Sequence, residues 1–272
     1  MILQPGCRFV VAPHFHLPAE WAQRLRVGTG VAETGGSFFP QPSWRPPTTD
    51  ELSLLVRAAD GPTTSEELEA SVCLFQLPGH VRSEWWKLLE QSARVLGEGP
   101  LAGFELFAGR VGEFLAFKGL PVPAGARCDV VVSKPGQWSV PWRPEVSCPV
   151  GLLWNPAPGA PWPGSEEPRG PRLWGGINLG DEETSVVLIN LFCRQLEEEL
   201  RRRFPDQSSP AVGELVGQFL RSCSDYPPVR LILGPGEGYR LPQDGLILDG
   251  YGGDKQEPDV LLLISHERRP ST

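Results

Sequence analysis

Short apolar runs separated by turns dominate the chain, rather than long helical stripes. Arg8-Phe9-Val10-Val11 is the first β-like run, and a loop-rich stretch follows it to the prolines Pro40, Pro42, Pro46 and Pro47. Thr49 ahead of Asp50-Glu51 is a good N-cap, and Leu52, Leu55, Val56 and Ala59 then keep helical spacing until Gly61. Thr63-Thr64-Ser65-Glu66-Glu67 starts a second helix with acids in its first turn. A third is expected from Ser83 to Val95, with Trp86, Leu89 and Leu96 on one face.

After Gly97 the texture turns to β. Phe104–Ala108 and Glu113–Phe117 read as strands joined by a hairpin turn at Gly109-Arg110-Val111-Gly112. Further strands are expected at Asp129–Ser133, Val150–Trp154, Leu173–Leu179 and Ser185–Leu191, with a long surface loop over 155–171. Two helices interrupt the sheet, Leu191–Phe204 and Pro210–Ser222. The first ends in Arg201-Arg202-Arg203, which compensates the helix dipole. Strands then return at Val229–Leu233, Tyr239–Leu241, Leu246–Leu248 and Asp259–Ile264, before a tail at Glu267–Thr272.

Composition narrows the classes. The chain has 272 residues, room for one or two domains and a full core. With 31 Gly and 30 Pro it cannot be a helical bundle. A net charge of −8 makes nucleic acid a poor partner. No apolar run approaches the roughly 20 residues of a membrane span, and no signal peptide is visible. Six scattered cysteines without CxxC spacing read as buried thiols, so the expected location is the cytoplasm.

Residues 226–264 (YPPVRLILGPGEGYRLPQDGLILDGYGGDKQEPDVLLLI) set a strand, a Pro-Gly turn, a short strand ending in Leu241-Pro242, a Gly turn and two more strands in succession. This resembles the closing half of the double-stranded β-helix of the cupin and iron/2-oxoglutarate oxygenase superfamily, and the likeness extends back to about residue 100. The resemblance implies an iron held by a His, an acid two residues later and a distal His, with a basic residue binding the co-substrate carboxylate. This chain departs from that pattern: no histidine lies between Val81 and Ser265. Gly176–Asp181 stands where the first His and acid belong, and Gly245–Asp249 where the distal His belongs. The residues left to contact a ligand are Asn178, Asp181, Arg240, Asp249 and Lys255, with no metal and no cofactor.

His14-Phe15-His16 with Glu20 has the H-x-H-x3-E spacing of a cupin metal motif, with His80 as a fourth ligand, provided His14 and His16 share one face of a strand. Pro13 and Pro18 oppose that strand. Neither G-x-S-x-G nor a Walker loop is present. Trp138, Trp142, Trp154, Trp162 and Trp174 crowd into Pro-rich sequence, as core cover or as a partner surface.

The expected protein is therefore α+β. Residues 1–97 form a mainly helical part with a short β segment, and residues 98–266 form a jelly-roll barrel with two inserted helices. Its expected role is that of an oxygenase-like barrel or pseudoenzyme without the iron triad, binding a small acidic ligand. The alternatives are a protein–protein interaction or scaffold protein, and a metal-dependent cupin-type enzyme using His14, His16, Glu20 and His80.

Overall fold

The computed structural model describes residues 2–57, 63–94, 103–133, 153–155, 172–205, 212–251, 255–256 and 258–266. Strand β1 (Arg8–Val11) leads to a 3-10 turn (Ala19–Arg24), then β2 (Leu25–Gly28), β3 (Val31–Thr34), β4 (Ser37–Pro40) and β5 (Trp44–Arg45). Helices α1 (Thr49–Leu55) and α2 (Ser65–Glu69) precede β6 (Ser71–Gln76), and α3 (Gly79–Arg94) and α4 (Phe104–Phe117) follow it. Next come β7 (Ala126–Ser133), β8 (Leu153–Asn155), β9 (Arg172–Asn178) and β10 (Thr184–Ile189). Helices α5 (Cys193–Arg203) and α6 (Val212–Ser222) separate these from β11 (Val229–Leu233), β12 (Glu237–Arg240), β13 (Leu246–Gly250) and β14 (Asp259–His266).

The fold is α+β, built on two six-stranded sheets. The first runs β1-β6-β12-β9-β14-β7 and the second β5-β2-β11-β10-β13-β8, so among the described residues neither sheet closes on itself. Among the described residues β1 and β6 form the one parallel ladder, and the remaining ladders are antiparallel. From β7 onward the pairing is nested: β10 with β11, β9 with β12, β8 with β13 and β7 with β14. The separate β3–β4 hairpin turns on Gly35-Gly36, whose φ angles of 60° and 82° are those of a type I′ turn and suit glycine.

Two apolar cores result. Leu74, Tyr239 and Leu263 of the first sheet join Leu25, Val187, Leu231 and Ile247 of the second, together with Leu200 and Phe219 of α5 and α6. Phe75, Ile177, Leu262 and Ile264, on the other side of the first sheet, meet Trp85 of α3 and Phe107, Val111 and Leu115 of α4.

Two expectations are corrected here. Residues 104–117 are one helix, not a hairpin. Phe107, Val111 and Leu115 recur every four residues and are all buried, each gaining about 1.5–3 kcal/mol from burial, which outweighs the roughly 1 kcal/mol that each of Gly109 and Gly112 costs a helix. The N-terminal third is not mainly helical, because it carries six strands, β1 to β6. These strands are two to six residues long and lie among glycines and prolines, so the sequence reads as loop until partner strands pair with them. Smaller shifts accompany these. The cap of α1 is Thr48, whose hydroxyl accepts the Glu51 N–H while the Glu51 carboxylate accepts the Thr48 N–H. Arg201 ion-pairs with Glu197, and Arg203 with both Glu199 and Asp225. Cys7, Cys73 and Cys223 are buried, whereas Cys128 and Cys193 are half-buried. The loop expected over 155–171 lies, from residue 156 on, outside the described residues, as do the tail, Cys148, Trp138, Trp142 and Trp162. Trp174 is buried in the core against α3 and α4.

Candidate functional site

Four of the five residues named from sequence are either bonded into the fold or exposed, and the four do not converge on one site. The buried Asn178 amide donates to the carbonyls of Glu182 (2.8 Å) and Leu233 (3.1 Å) and accepts the Gly180 N–H (2.9 Å). It fastens the β9–β10 turn to the end of β11. Asp181 is exposed in that turn. Arg240 donates to the Leu68 carbonyl and, at 3.0 Å, to the Cys73 sulfur. It lies on the face of the first sheet that carries Cys73 and Ile264, away from the second sheet. Lys255 forms a buried ion pair with Asp259 at the start of β14.

The metal motif does not assemble either. His14 has a φ of 65° and sits in a turn after Pro13, so no strand aligns it with His16. His14, His16, Glu20 and His80 are all exposed, and no three His, Cys, Asp or Glu side chains among the described residues are grouped to hold a metal ion.

Asp249 is different, and its setting follows from strand register. In an antiparallel ladder, directly opposite residues project to the same face. Arg26 lies opposite Arg230, Arg230 opposite Val187, and Val187 opposite Asp249. These four side chains therefore form one row across β2, β11, β10 and β13. Trp44, opposite Gly28, joins the same face, as do Ser185 and Tyr251, two residues along from Val187 and Asp249. Burial pushes the Tyr239 phenol up, and the negative charge of Asp249 reinforces that effect.

The geometry around Arg230 is tight. Its guanidinium carbon lies 4.6 Å from the Tyr251 ring centre and 5.8 Å from that of Trp44, and the two rings meet edge-on at 5.7 Å. Its Nε donates to Ser185 Oγ at 2.9 Å, while the Ser185 carbonyl accepts the Tyr251 N–H at 2.8 Å. Arg26 donates to the carbonyls of Gln23 (2.5 Å) and Leu25 (2.8 Å). Arg230, Arg26 and Trp44 are half-buried and open this end to solvent, whereas Asp249, Ser185 and Tyr251 are buried. The buried Trp44 indole N–H has no acceptor among the described residues. Asp249 Oδ1 accepts the Gly250 N–H at 2.7 Å.

Chemically, the row offers fixed guanidinium donors, aromatic walls and a buried carboxylate. The sequence named only Asp249 of this set. Arg26, Trp44, Ser185, Arg230 and Tyr251 carry no motif, and β5, the strand that brings in Trp44, is two residues long.

A groove of about 1120 Å³ lies elsewhere, between α4 and β7, lined by Phe104, Leu106, Gly109, Glu113, Arg127 and Asp129 among others. Leu106 on its wall is 63% exposed, and Phe117 on the same helix is 84% exposed. Among the described residues, no helix is long and apolar enough to cross a membrane. Comparison with family models, curated proteins and solved structures finds no match to this chain.

Proposed function

We propose that the protein is a jelly-roll binding protein or pseudoenzyme that takes a small acidic ligand between its sheets, at Arg26 and Arg230. The nested pairing of β7 to β14 supports the jelly-roll reading, since the first strand of such a barrel pairs with the last and each inner pair follows suit. The observation that carries the function is the placing of Arg26 directly opposite Arg230, with Trp44, Ser185 and Tyr251 on the same face of the second sheet. Guanidinium groups are suited to carboxylates, and the buried Trp44 N–H supplies a further donor to an acceptor ligand.

Calorimetric titration of the purified protein with butyrate, 4-hydroxybutyrate, succinate and inorganic phosphate tests this. At least one acid is expected to bind, with its Kd raised about tenfold or more in Arg26→Gln and in Arg230→Gln, the loss of roughly one charge-assisted hydrogen bond. No binding by any of the four, or binding by either variant as tight as that of the parent, refutes the reading.

The α4–β7 groove, with Leu106 and Phe117 exposed, favours a second reading as an interaction protein. Leu106→Glu then abolishes capture of a protein partner and leaves acid binding unchanged.

A further inference from the structure

Deepening the interaction reading above, on which it rests, we infer that a second copy of this chain docks on β7. The two β7 strands pair antiparallel about a two-fold axis at Cys128. Among the described residues β7 has β14 on one side and no strand on the other, so it ends the first sheet. It is eight residues long, whereas the other sheet-end strands β1, β5 and β8 have four, two and three. Its register with β14 is continuous from Ala126 to Ser133, and it contains no proline. Such an edge presents a row of backbone N–H and C=O groups to another strand. Val132 on it is 64% exposed.

Charge selects both the partner and the register. Arg127 and Asp129 are exposed and, lying two residues apart, share one face of β7. A two-fold axis normal to the sheet keeps each face on its own side, so the axis passes through a residue of the strand. Centred on Arg127 or on Asp129, it sets like charges opposite each other, which destabilises a strand pair. Centred on Val130, it matches neither charge with its opposite. Centred on Cys128, it sets Arg127 against the partner's Asp129 and Asp129 against the partner's Arg127, and opposite charges directly across stabilise the pair. Little is given up within the chain, where Arg127 and Asp129 make only a loose contact of 3.5 Å between exposed groups. Ala126–Val130 of each strand then form the ladder, and Val131 and Val132 run past the partner's Ala124-Gly125 turn, whose small residues leave room. The groove between α4 and β7 reaches Cys128, so the helix does not cover that face of the strand.

Sedimentation velocity on the full chain over a concentration series tests this. The parent is expected to dimerise, and Arg127→Asp and Asp129→Arg each to raise its dissociation constant about tenfold or more. The double variant restores both opposed pairs and is expected to return to within about threefold of the parent, which also shows that the edge still folds. Dibromobimane, from which each of two thiol sulfurs displaces one bromide, is expected to link Cys128 to the partner's Cys128. A parent that stays monomeric overturns the inference, as does a dimer indifferent to the single reversals or a double variant as weak as they are. A dimer that dibromobimane does not link, or links equally in Cys128→Ser, overturns it too. Each of these results leaves the α4–β7 groove open to a different protein, which Leu106→Glu tests separately.

Discussion

Replacing Asn178 with Ala separates a fastening role from a ligand-binding one. The side chain is fully buried and makes three hydrogen bonds, two as donor to the carbonyls of Glu182 and Leu233 and one as acceptor from Gly180 N–H. Each bond contributes about 1 kcal/mol net, so the set contributes about 3 kcal/mol. Alanine also leaves the Leu233 carbonyl and the Gly180 N–H without that partner in a buried setting, which costs about 1–3 kcal/mol for any group that water does not reach. With one such group left dry the expected loss is about 3–6 kcal/mol, and at about 2–4 °C per kcal/mol in a chain of this size the melting temperature falls by at least about 6 °C. Asn178→Asp fares no better, because the carboxylate offers no N–H to either carbonyl. Urea unfolding followed by circular dichroism, with no ligand added, measures the loss. A ΔΔG below 1 kcal/mol for Asn178→Ala, or an Asp variant as stable as the parent, refutes the fastening role.

Further outcomes follow from other sites. Arg45 above all, with help from Thr48, holds the Glu51 carboxyl below the usual carboxylate range, so its contribution to stability is in place above the unfolded value of about 4.3 and is lost as pH falls through the lower folded value. Glu51→Gln therefore flattens the acid limb of a melting-temperature profile, and an unchanged slope between pH 2 and 5 contradicts this. Gly236 has a φ of 78°, and a Cβ there would stand 2.5 Å from the Arg82 side chain; Gly236→Ala is expected to destabilise by about 1–2 kcal/mol, and a neutral effect in urea titration argues against the turn geometry. The absence of histidine from 82 to 264 leads us to expect no stoichiometric iron and no turnover of 2-oxoglutarate in protein made without a His tag. Elemental analysis decides it: one bound equivalent of iron or manganese, lost in a His14→Ala, His16→Ala variant, would restore the N-terminal metal site.

Local pattern was enough wherever a segment's neighbours lie close in sequence. The strand Val229–Leu233 stands where its alternation put it, α5 and α6 follow their apolar stripes, and capping chemistry located the starts of α1 and α2 to within a residue. Residues 104–117 show the limit. Gly109-Arg110-Val111-Gly112 has the composition of a turn, and only packing against Trp85 and Ile264 selects the helix. The short strands β2 to β5 carry too few residues for alternation to register, so partner strands distant in sequence define them. The candidate site belongs wholly to this second kind of information. Arg26, Val187, Arg230 and Asp249 stand side by side because β2, β11, β10 and β13 pair in one register. A slip of one residue in any of these ladders would turn part of the row to the opposite face, and no local pattern records that register. The sequence by itself determined which segments are helix or strand where their periodicity is strong, while only the tertiary structure decided which charged residues share a face.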